Sequence, residues 1–312
     1  MNSPLKVSIV TPSFNQAAYL EACIRSVLDQ DHPDIEYIIM DGGSTDSSPE
    51  IIQRYAGSLA YWVSRPDGGQ SAAINEGLRH AGGDIWGWMN ADDAYLPGAV
   101  SRAVSKMAAE PEIDILYGDC TWVDKDGTVF SEHRSHSFSI RELLLGTADI
   151  PTGSAFFRRR VLDRIGGLDE SLHFVMDIEY WLRARDCSFV HLPEMFSLYR
   201  AHPSAKTMDK ARSESRSREF VRVYGQFWAQ NKDPGLQRLR SHSMAGVYLY
   251  AADLAAYRDD RETCLFYLRK SLGFGLPAFQ PRLARLLFKA ILGDKPARSL
   301  QKVWRSVTHM RT

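Results

Sequence analysis

Cysteine is scarce in this 312-residue sequence, which has only four: Cys23, Cys120, Cys187 and Cys264. They lie far apart and form no CxxC pair, which excludes a disulfide scaffold and suits reduced thiols. A long hydrophobic run is missing as well. The first residues lack the apolar core of a signal peptide, and no window approaches the ~18 apolar residues of a membrane span. We therefore expect a cytoplasmic protein, soluble or peripheral on the cytoplasmic membrane face.

Net charge is absent too, because 38 basic residues balance 38 acidic ones. The balance hides an asymmetry, since residues 1–203 carry a formal charge of −12 and residues 204–312 carry +12. Opposite charges on the two parts indicate two regions that face different partners. We place the boundary between residues 203 and 204.

The first 120 residues alternate short β-branched runs with amphipathic stretches. This pattern is typical of an α/β fold whose mostly parallel central sheet is flanked by helices. Strands are predicted at 6–11, 35–41, 60–64, 85–89 and 113–117, with helices at 19–28, 49–55, 70–80 and 98–109. A hairpin around 125–127 and a helix at 178–186 follow. Beyond residue 212 the pattern predicts helices only, at 224–231, 236–257, 262–272, 281–292 and 298–308.

Polar residues cluster at the carboxyl ends of successive predicted strands, at 11–15, 41–46, 67–70 and 90–93. In open α/β sheets this edge is where ligands bind. Each cluster taken alone is explained by a βα turn, because Gly, Asp, Ser and Asn cap helices. Four clusters on one edge, all rich in carboxylates and amides, favour a binding site.

Two of these clusters suggest specific chemistry. The NADD sequence at 90–93 follows the apolar run IWGWM, which places carboxylates at a strand end. Carboxylate oxygens there suit Mg²⁺ or Mn²⁺ bridging phosphates, with a helix N-cap as the alternative explanation. Asp41 ends the second predicted strand, where it can accept a hydrogen bond from a base N–H, and Gly42 and Gly43 allow close backbone approach.

Later in the chain, Asp177 is the best-placed carboxylate for a general base, which must be ionised at neutral pH and reach the hydrogen that it removes. The alternative is that Asp177 caps a helix beginning at Ile178. His133 and His136 form an HxxH pair without an acidic or cysteine partner nearby, which favours a solvated loop over a zinc site. His202 is better placed, beside the segment that closes the first region.

The clusters, in this order, resemble the family 2 glycosyltransferases with the GT-A fold. The resemblance rests on VSIVTPSFNQAAYLEACIRSVLDQ, YIIMDGGSTDSSPEIIQRY, SRPDGGQSAAINEGLRHAGGDIWGWMNADD and GGLDESLHFVMDIEYWLR, which cover most of residues 6–186. It implies a GT-A nucleotide-diphospho-sugar transferase fold for residues 1–203, followed by the α-helical, basic region 204–312. It also implies an inverting enzyme that moves a sugar from a nucleoside diphosphate to an acceptor hydroxyl, with Mn²⁺ or Mg²⁺ at the diphosphate.

The resemblance implies roles for five residues in nucleotide binding. Thr11, Pro12 and Ser13 match the first-strand loop that lines the nucleoside site. Asp41 matches the carboxylate that reads the base, and Asp67 lies in the loop that helps to close over the nucleotide.

Three further positions, Asn90, Asp92 and Asp177, match the family's nucleotide, metal and catalytic motifs. Asn90 occupies the first place of the DxD motif, where an Asp would meet the ribose. Asp92 occupies the metal-binding place, with Asp93 in support and His202 as a further metal candidate. Asp177 matches the Asp of the ED motif, the catalytic base that deprotonates the acceptor.

This chain departs from the family pattern at three places. Asn90 lacks a charge, so fewer carboxylates are available to a metal. Ile74, within Ala-Ile-Asn at 73–75, replaces an arginine often found there, so one phosphate cation is missing. Met176 replaces the Glu of the ED pair.

The resemblance also implies partners. Polymerising synthases of the family have membrane spans and a QxxRW motif, which QKVWR at 301–305 resembles only superficially, so addition of a single sugar is favoured. We expect a UDP-sugar as donor, a glycan or lipid-linked acceptor, and a role in bacterial-type cell-surface or exopolysaccharide assembly.

Two other functions stay open. A nucleotidyltransferase that makes the sugar nucleotide would share the fold and the metal, but the Gly-rich, Arg/Lys-bearing triphosphate loop is missing after the first strand. A catalytically silent module that binds sugar nucleotides or glycans is favoured only by Asn90 and Met176.

The basic C-terminal residues suggest a surface for a membrane or a partner. Residues 281–312 carry eight Lys or Arg against one acid, and apolar stripes run along both predicted helices. Such helices can bind an anionic membrane, or they can pack on the acidic first region. Nucleic acid is not expected, because aromatic residues do not alternate with the basic ones.

Overall fold

The fold is seen in a computed structural model, which describes residues 5–148 and 150–275 and, beyond them, Leu286. The described residues divide into two compact units, with one boundary between Ala205 and Lys206. Residues 144–147 belong to the second unit. The assignment of separate functions to 1–203 and 204–312 stays a prediction.

The described residues contain one mixed sheet and eleven α-helices. The strands are β1 (Val7–Ser13), β2 (Ile35–Asp41), β3 (Tyr61–Ser64), β4 (Ile85–Trp88), β5 (Ala94–Tyr95), β6 (Ile115–Val123), β7 (Val129–His133), β8 (Ala155–Arg158) and β9 (Phe189–Arg200). The helices are α1 (Ala17–Leu28), α2 (Ser48–Tyr55), α3 (Gln70–His80), α4 (Ala99–Ala109), α5 (Ile140–Leu145), α6 (Arg159–Ile165), α7 (Met176–Arg183), α8 (Ser213–Gln230), α9 (Pro234–Gln237), α10 (Arg240–Tyr257) and α11 (Arg261–Gly273).

The strand order is β3-β2-β1-β4-β8-β6-β9-β5, with β7 paired to β6. The first four strands pair in parallel, as predicted. The fifth predicted strand, at 113–117, begins at Ile115 as β6, and it does not pair with β4. Instead β8 lies between β4 and β6, antiparallel to both. The expectation of a mostly parallel sheet therefore holds for β1 to β4, whereas the remaining half of the sheet is mixed.

Both faces of the sheet are covered, as the alternation of strands and helices predicts. On one face Ile85 of β4 packs in a buried cluster with side chains of α1 and α4. Successive strand residues point to opposite faces, so Trp86 faces the other side. There its ring stacks on Phe157 at 4.1 Å and meets Tyr180 of α7 edge-on at 6.0 Å. This aromatic contact fixes α7, and with it the first-turn residue Asp177, against the sheet.

The second unit is helical, as predicted. The predicted helices at 224–231 and 262–272 coincide closely with the end of α8 and with α11, and the one at 236–257 is divided into α9 and α10. Asp233 caps α9 and Asp260 caps α11 through their side chains. The predicted helices at 281–292 and 298–308 lie outside the described residues. None of the helices within 5–148 and 150–275 is long and apolar enough to cross a bilayer.

Gly77 sets how closely α3 approaches β1. A Cβ at this position would lie 2.4 Å from Cγ1 of Val10, so any side chain forces the helix away from the strand. We predict that Gly77→Ala lowers the free energy of unfolding by ~1–3 kcal/mol in urea denaturation, because overpacking outweighs the better helix propensity of alanine.

Gly57→Ala is the matched control in the same unit, because a Cβ there meets open space. It should change the free energy of unfolding by less than ~0.5 kcal/mol. Equal losses in the two variants would contradict the packing argument.

Candidate active site

The carboxyl ends of β1 and β2 are joined by hydrogen bonds. Asn15 Oδ1 accepts from the Thr45 N–H at 2.8 Å, and Ser44 Oγ accepts from the Asn15 N–H at 2.7 Å. Asp46 Oδ2 accepts from the Ala17 N–H at 3.0 Å, which satisfies a free amide in the first turn of α1. The first two predicted clusters therefore form one continuous surface.

Asp41 ends β2 as predicted and is held by three donors. Its carboxylate accepts from the Ser44 N–H at 2.9 Å, from Ser44 Oγ at 2.6 Å and from Ser64 Oγ at 2.6 Å. A Cβ on Gly42 would lie 3.0 Å from Asp67 Oδ2, so glycine lets the third cluster lie against the second. Burial raises the pKa of Asp67, and the charge of Asp41 raises it further.

Asn90 connects the third cluster to the fourth. Gln70 Nε2 donates to Asn90 Oδ1 at 2.9 Å, and Asn90 Nδ2 donates to Asp93 Oδ2 at 3.1 Å. An amide can accept from one neighbour and donate to the other at once, whereas an ionised carboxylate can only accept. The Asn90 amide therefore links Gln70 and Asp93 in a way that an ionised carboxylate at this position could not. All four predicted clusters meet at one edge of the sheet.

Asp92 and His202 lie side by side although they are far apart in sequence. His202 Nε2 is 3.0 Å from Asp92 Oδ2, and His202 Nδ1 is 3.0 Å from Ser204 Oγ. The Tyr19 ring lies 4.6 Å from the imidazole. The Asp92 side chain is 21% exposed, whereas the His202 side chain is buried. Two of the metal candidates predicted from the sequence are therefore neighbours.

Asp93 and Arg200 complete this end of the site. Asp93 Oδ1 accepts from the Arg200 N–H at 2.9 Å, and Arg200 Nε donates to the Asp92 carbonyl at 3.1 Å. Burial and the adjacent charge of Asp92 raise the pKa of Asp93 to about 8. Sequence reasoning misses Arg200, and the only signal for it is its place two residues before His202.

The three predicted residues of β1 differ in what they offer. Thr11 is fully buried, and its hydroxyl lies 3.0 Å from that of Tyr37, so its side chain is used within the fold. Pro12 is buried in the same strand. Ser13 is 4% exposed, and its Oγ has no hydrogen-bond partner in the described part of the chain. An unpaired buried hydroxyl is rare, and here it lies at the binding edge.

Asp177 lies inside α7, which begins at Met176 and has Val175 as its N-cap. The alternative that Asp177 caps a helix beginning at Ile178 is therefore wrong, because Asp177 already belongs to the first turn. Its Oδ1 accepts from the Ile178 N–H at 2.8 Å. Ser71 Oγ donates to the Leu172 carbonyl at 2.9 Å, which ties the segment before α7 to the first turn of α3.

Among the described residues, no group of three or more His, Cys, Asp or Glu side chains could hold a metal ion. His133 of the HxxH pair ends β7, so it does not lie in the expected loop. An ion at Asp92 would complete its coordination with water or with oxygens of a bound ligand.

The parallel half-sheet with a polar edge, the mixed half-sheet beside it and the helical region that follows define a GT-A nucleotide-sugar transferase fold. The chain belongs to glycosyl transferase family 2, whose family model matches residues 8–166. The resemblance drawn from the sequence is thereby confirmed, and the chain is a glycosyltransferase.

Comparisons with individual proteins agree with this family assignment. An uncharacterised glycosyltransferase of Mycobacterium tuberculosis is 32% identical over 186 residues, which cover 59% of this chain and 70% of the relative. The mannosyltransferase PcManGT from Pyrobaculum calidifontis, in complex with GDP-Man and Mn²⁺, has a TM-score of 0.61 at 20% identity, over 96% of this chain and 84% of that one.

A second solved structure is S. aureus TarS 1–349 in complex with UDP-GlcNAc, with a TM-score of 0.56 at 14% identity. The match covers 93% of this chain and 93% of that one. This chain spans 54% of a longer TarS crystal structure. At these identities the two solved structures show the fold alone.

The different bonding of Ser13 and Ser64 gives a test of the site. Ser13→Ala removes a buried hydroxyl without a partner, so we expect the free energy of unfolding to stay within ~0.5 kcal/mol of the parent value. Ser64→Ala removes a donor to the Asp41 carboxylate and should lower it by ~1–2 kcal/mol. Chemical denaturation without nucleotide measures both. A loss in Ser13→Ala as large as in Ser64→Ala would mean that Ser13 has a partner within the fold.

Proposed function

We propose that this glycosyltransferase moves one sugar from a nucleoside diphosphate to an acceptor hydroxyl with inversion at the anomeric carbon, assisted by a divalent metal ion at Asp92. One observation carries the proposal: Asp92 meets His202 at the same edge of the sheet that holds Asp41 and Asn90. The edge thus offers a base acceptor and a metal-binding pair together.

The donor nucleotide lies, in this proposal, over the ends of β1 to β3. Asp41 accepts from the base N–H, and Pro12 and Ser13 line the nucleoside, with Asp67 in the loop that closes over it. We propose a UDP-sugar as donor, since the N3–H of uracil matches a single carboxylate acceptor. TarS is seen with UDP-GlcNAc and PcManGT with GDP-Man, so these two neighbours do not favour one base over the other.

The residues around Asp92 fit Mn²⁺ or Mg²⁺. Asp92 would offer the ion a carboxylate oxygen, and His202 would offer it an imidazole nitrogen. Asp92 Oδ2 and His202 Nε2 are separated by 3.0 Å. Such ions keep several positions for water and substrate phosphate, which suits a site with two protein ligands. A bound ion stabilises the negative charge that develops on the leaving diphosphate. Asp93 supports the pair by holding the Arg200 backbone.

Arg200 supplies a fixed positive charge at the same edge. Its Nε and Nη1 donate to the carbonyl oxygens of Asp92 and Asp124, which are uncharged acceptors. Ile74, at the position where the family often has an arginine, is fully buried and cannot present a charge to a ligand. We propose that Arg200 takes over part of this role toward the diphosphate.

Asp177 acts as the base in this mechanism. Its carboxylate lies in the first turn of α7. The acceptor oxygen attacks the anomeric carbon as the bond to the diphosphate breaks. The electron pair leaves with the diphosphate, and Asp177 takes the hydroxyl proton. A single displacement at one carbon inverts its configuration. Met176, which replaces the motif's Glu, is buried and adds no second carboxylate.

The proposal extends to the partners expected from the sequence. These are a glycan or lipid-linked acceptor, a role in cell-surface or exopolysaccharide assembly, and a cytoplasmic location with 204–312 on an anionic membrane surface. The charge of +12 on 204–312 supports the last point, because basic residues near anionic lipid contribute ~1 kcal/mol each. A catalytically silent module is less well supported, since the Asn90 amide has a bridging role of its own.

Asp177→Asn tests the base. We expect transfer to fall by ~10²–10⁴-fold, because the amide cannot take the acceptor's proton, while UDP binding in calorimetry is unchanged. Nucleotide release from UDP-sugars measures the rate. Asp163→Asn, on the exposed side of α6, is the matched control and should keep the parent rate. Near-normal turnover in Asp177→Asn would assign the proton transfer to another group.

The metal assignment is tested by a second pair of variants. Asp92→Ala should weaken metal-dependent nucleotide binding more than Asn90→Ala does, because only Asp92 offers a carboxylate to the ion. Excess chelator should stop nucleotide release, and Mn²⁺ or Mg²⁺ should restore it. Full activity in excess chelator would overturn the assignment.

A further inference from the structure

The Tyr19 side chain lies against two residues of the proposed diphosphate site. Its ring centroid is 4.6 Å from that of the His202 imidazole, with 51° between the planes. The guanidinium carbon of Arg200 lies over the same ring, 5.0 Å from its centroid. One tyrosine therefore contacts both the proposed metal ligand His202 and the proposed phosphate cation Arg200.

The position of Tyr19 is set from the nucleoside side of the edge. Tyr19 lies in the first turn of α1, and the amides that precede it are bonded to the chain after β2. The Gln16 N–H donates to Ser48 Oγ at 3.2 Å, and the Ala17 N–H donates to Asp46 Oδ2 at 3.0 Å. The ring is thus carried by a helix that is anchored beside β2, and it reaches the residues that end and follow β9.

Arg200 is oriented by uncharged groups from three parts of the fold. Besides the Tyr19 ring, its guanidinium meets the Asp92 carbonyl after β4 at 3.1 Å and the Asp124 carbonyl after β6 at 3.3 Å. A carboxylate partner would cancel much of the positive charge, whereas a ring face and carbonyl dipoles orient the guanidinium and leave its net charge in place. A cation held in this way suits an anionic ligand.

We propose that Tyr19 is a positioning residue for the diphosphate: its ring orients the Arg200 guanidinium and packs against the His202 imidazole before the nucleotide binds. This inference rests on the proposed function, in which these two residues face the diphosphate and the metal ion. Side chains that are ordered in advance improve affinity, because the entropic cost of ordering them does not arise on binding. Loss of the ring should therefore weaken binding of the diphosphate and leave binding of the nucleoside unchanged.

The alternative is that Tyr19 only fills space at the start of α1. Its loss would then affect stability, and any change in binding would be the same for ligands with and without phosphate. The two explanations differ in one ratio, the Kd of a nucleoside divided by the Kd of its diphosphate. We call this ratio the diphosphate preference.

Binding to the full chain with Mn²⁺ tests the proposal, by calorimetry for UDP and GDP and by NMR titration for uridine and guanosine. For the base that the parent chain binds, Tyr19→Leu should lower the diphosphate preference by about fivefold or more, with the nucleoside Kd within about twofold of the parent value. Tyr19→Phe keeps the ring, so it should keep the diphosphate preference of the parent chain.

Tyr61→Leu is the matched control, because Tyr61 also stacks on a histidine. Its ring centroid lies 3.7 Å from that of His80, with 13° between the planes. Tyr61 begins β3, whereas the polar edge lies at the other end of this strand, where Ser64 donates to Asp41. The control should keep the parent affinities for the nucleoside and for its diphosphate.

A fluorinated ring keeps the test valid if Tyr19→Leu does not fold. Trifluorophenylalanine at position 19 keeps the shape of phenylalanine but withdraws electron density from the ring face, which weakens the attraction of the ring for a cation. The diphosphate preference should fall below that of Tyr19→Phe. Equal preferences in these two chains would overturn the proposal, as would equal preferences in the parent chain and Tyr19→Leu.

The parent chain separates this inference from the proposed function. If the parent binds UDP and GDP no more tightly than their nucleosides, the proposed diphosphate site fails, and the role of Tyr19 fails with it. If the parent prefers the diphosphate and Tyr19→Leu retains the whole preference, Tyr19 alone is misassigned and the proposed function stands.

Discussion

The contact between His202 and Asp92 is the constraint on which the rest of the site depends. It joins the end of β4 to the segment that leaves β9, two parts of the chain separated by 110 positions. Because Arg200 lies two residues before His202, the same anchor sets the hydrogen bond from Arg200 to Asp93. The buried imidazole of His202 thus lies beside both the proposed metal ligand Asp92 and the cation Arg200.

The second constraint is the concentration of carboxylates at one edge: Asp41, Asp67, Asp92 and Asp93. Burial of ionised groups is unfavourable unless hydrogen bonds or opposite charges compensate. Serine hydroxyls and the Ser44 N–H compensate the charge of Asp41 by hydrogen bonds. For Asp67 and Asp93, burial raises the pKa instead. A cation bound at this edge, as proposed, would favour the ionised forms of these carboxyl groups.

Much of this fold can be predicted from the sequence, because the first four strands are apolar runs separated by helices of ordinary length. Helix α3 has the predicted limits, Gln70–His80. The position of β8 could not be predicted, since the four residues Ala155–Arg158 contain no information on strand direction. Nor could the sequence reveal that the Asn90 amide bridges Gln70 and Asp93. Such features depend on contacts between residues far apart in the chain, which periodicity does not encode.

The central claim is that Asp92 and His202 together bind the metal ion that accompanies the nucleotide. Electron spin echo spectroscopy of Mn²⁺ tests it most directly, with the full chain and UDP, in natural abundance and with ¹⁵N-labelled histidine. The account predicts a ¹⁴N modulation from the imidazole of His202, which changes to the ¹⁵N pattern on labelling and is lost in His202→Gln. Mn²⁺ bound in the presence of UDP without any histidine nitrogen coupling would contradict it.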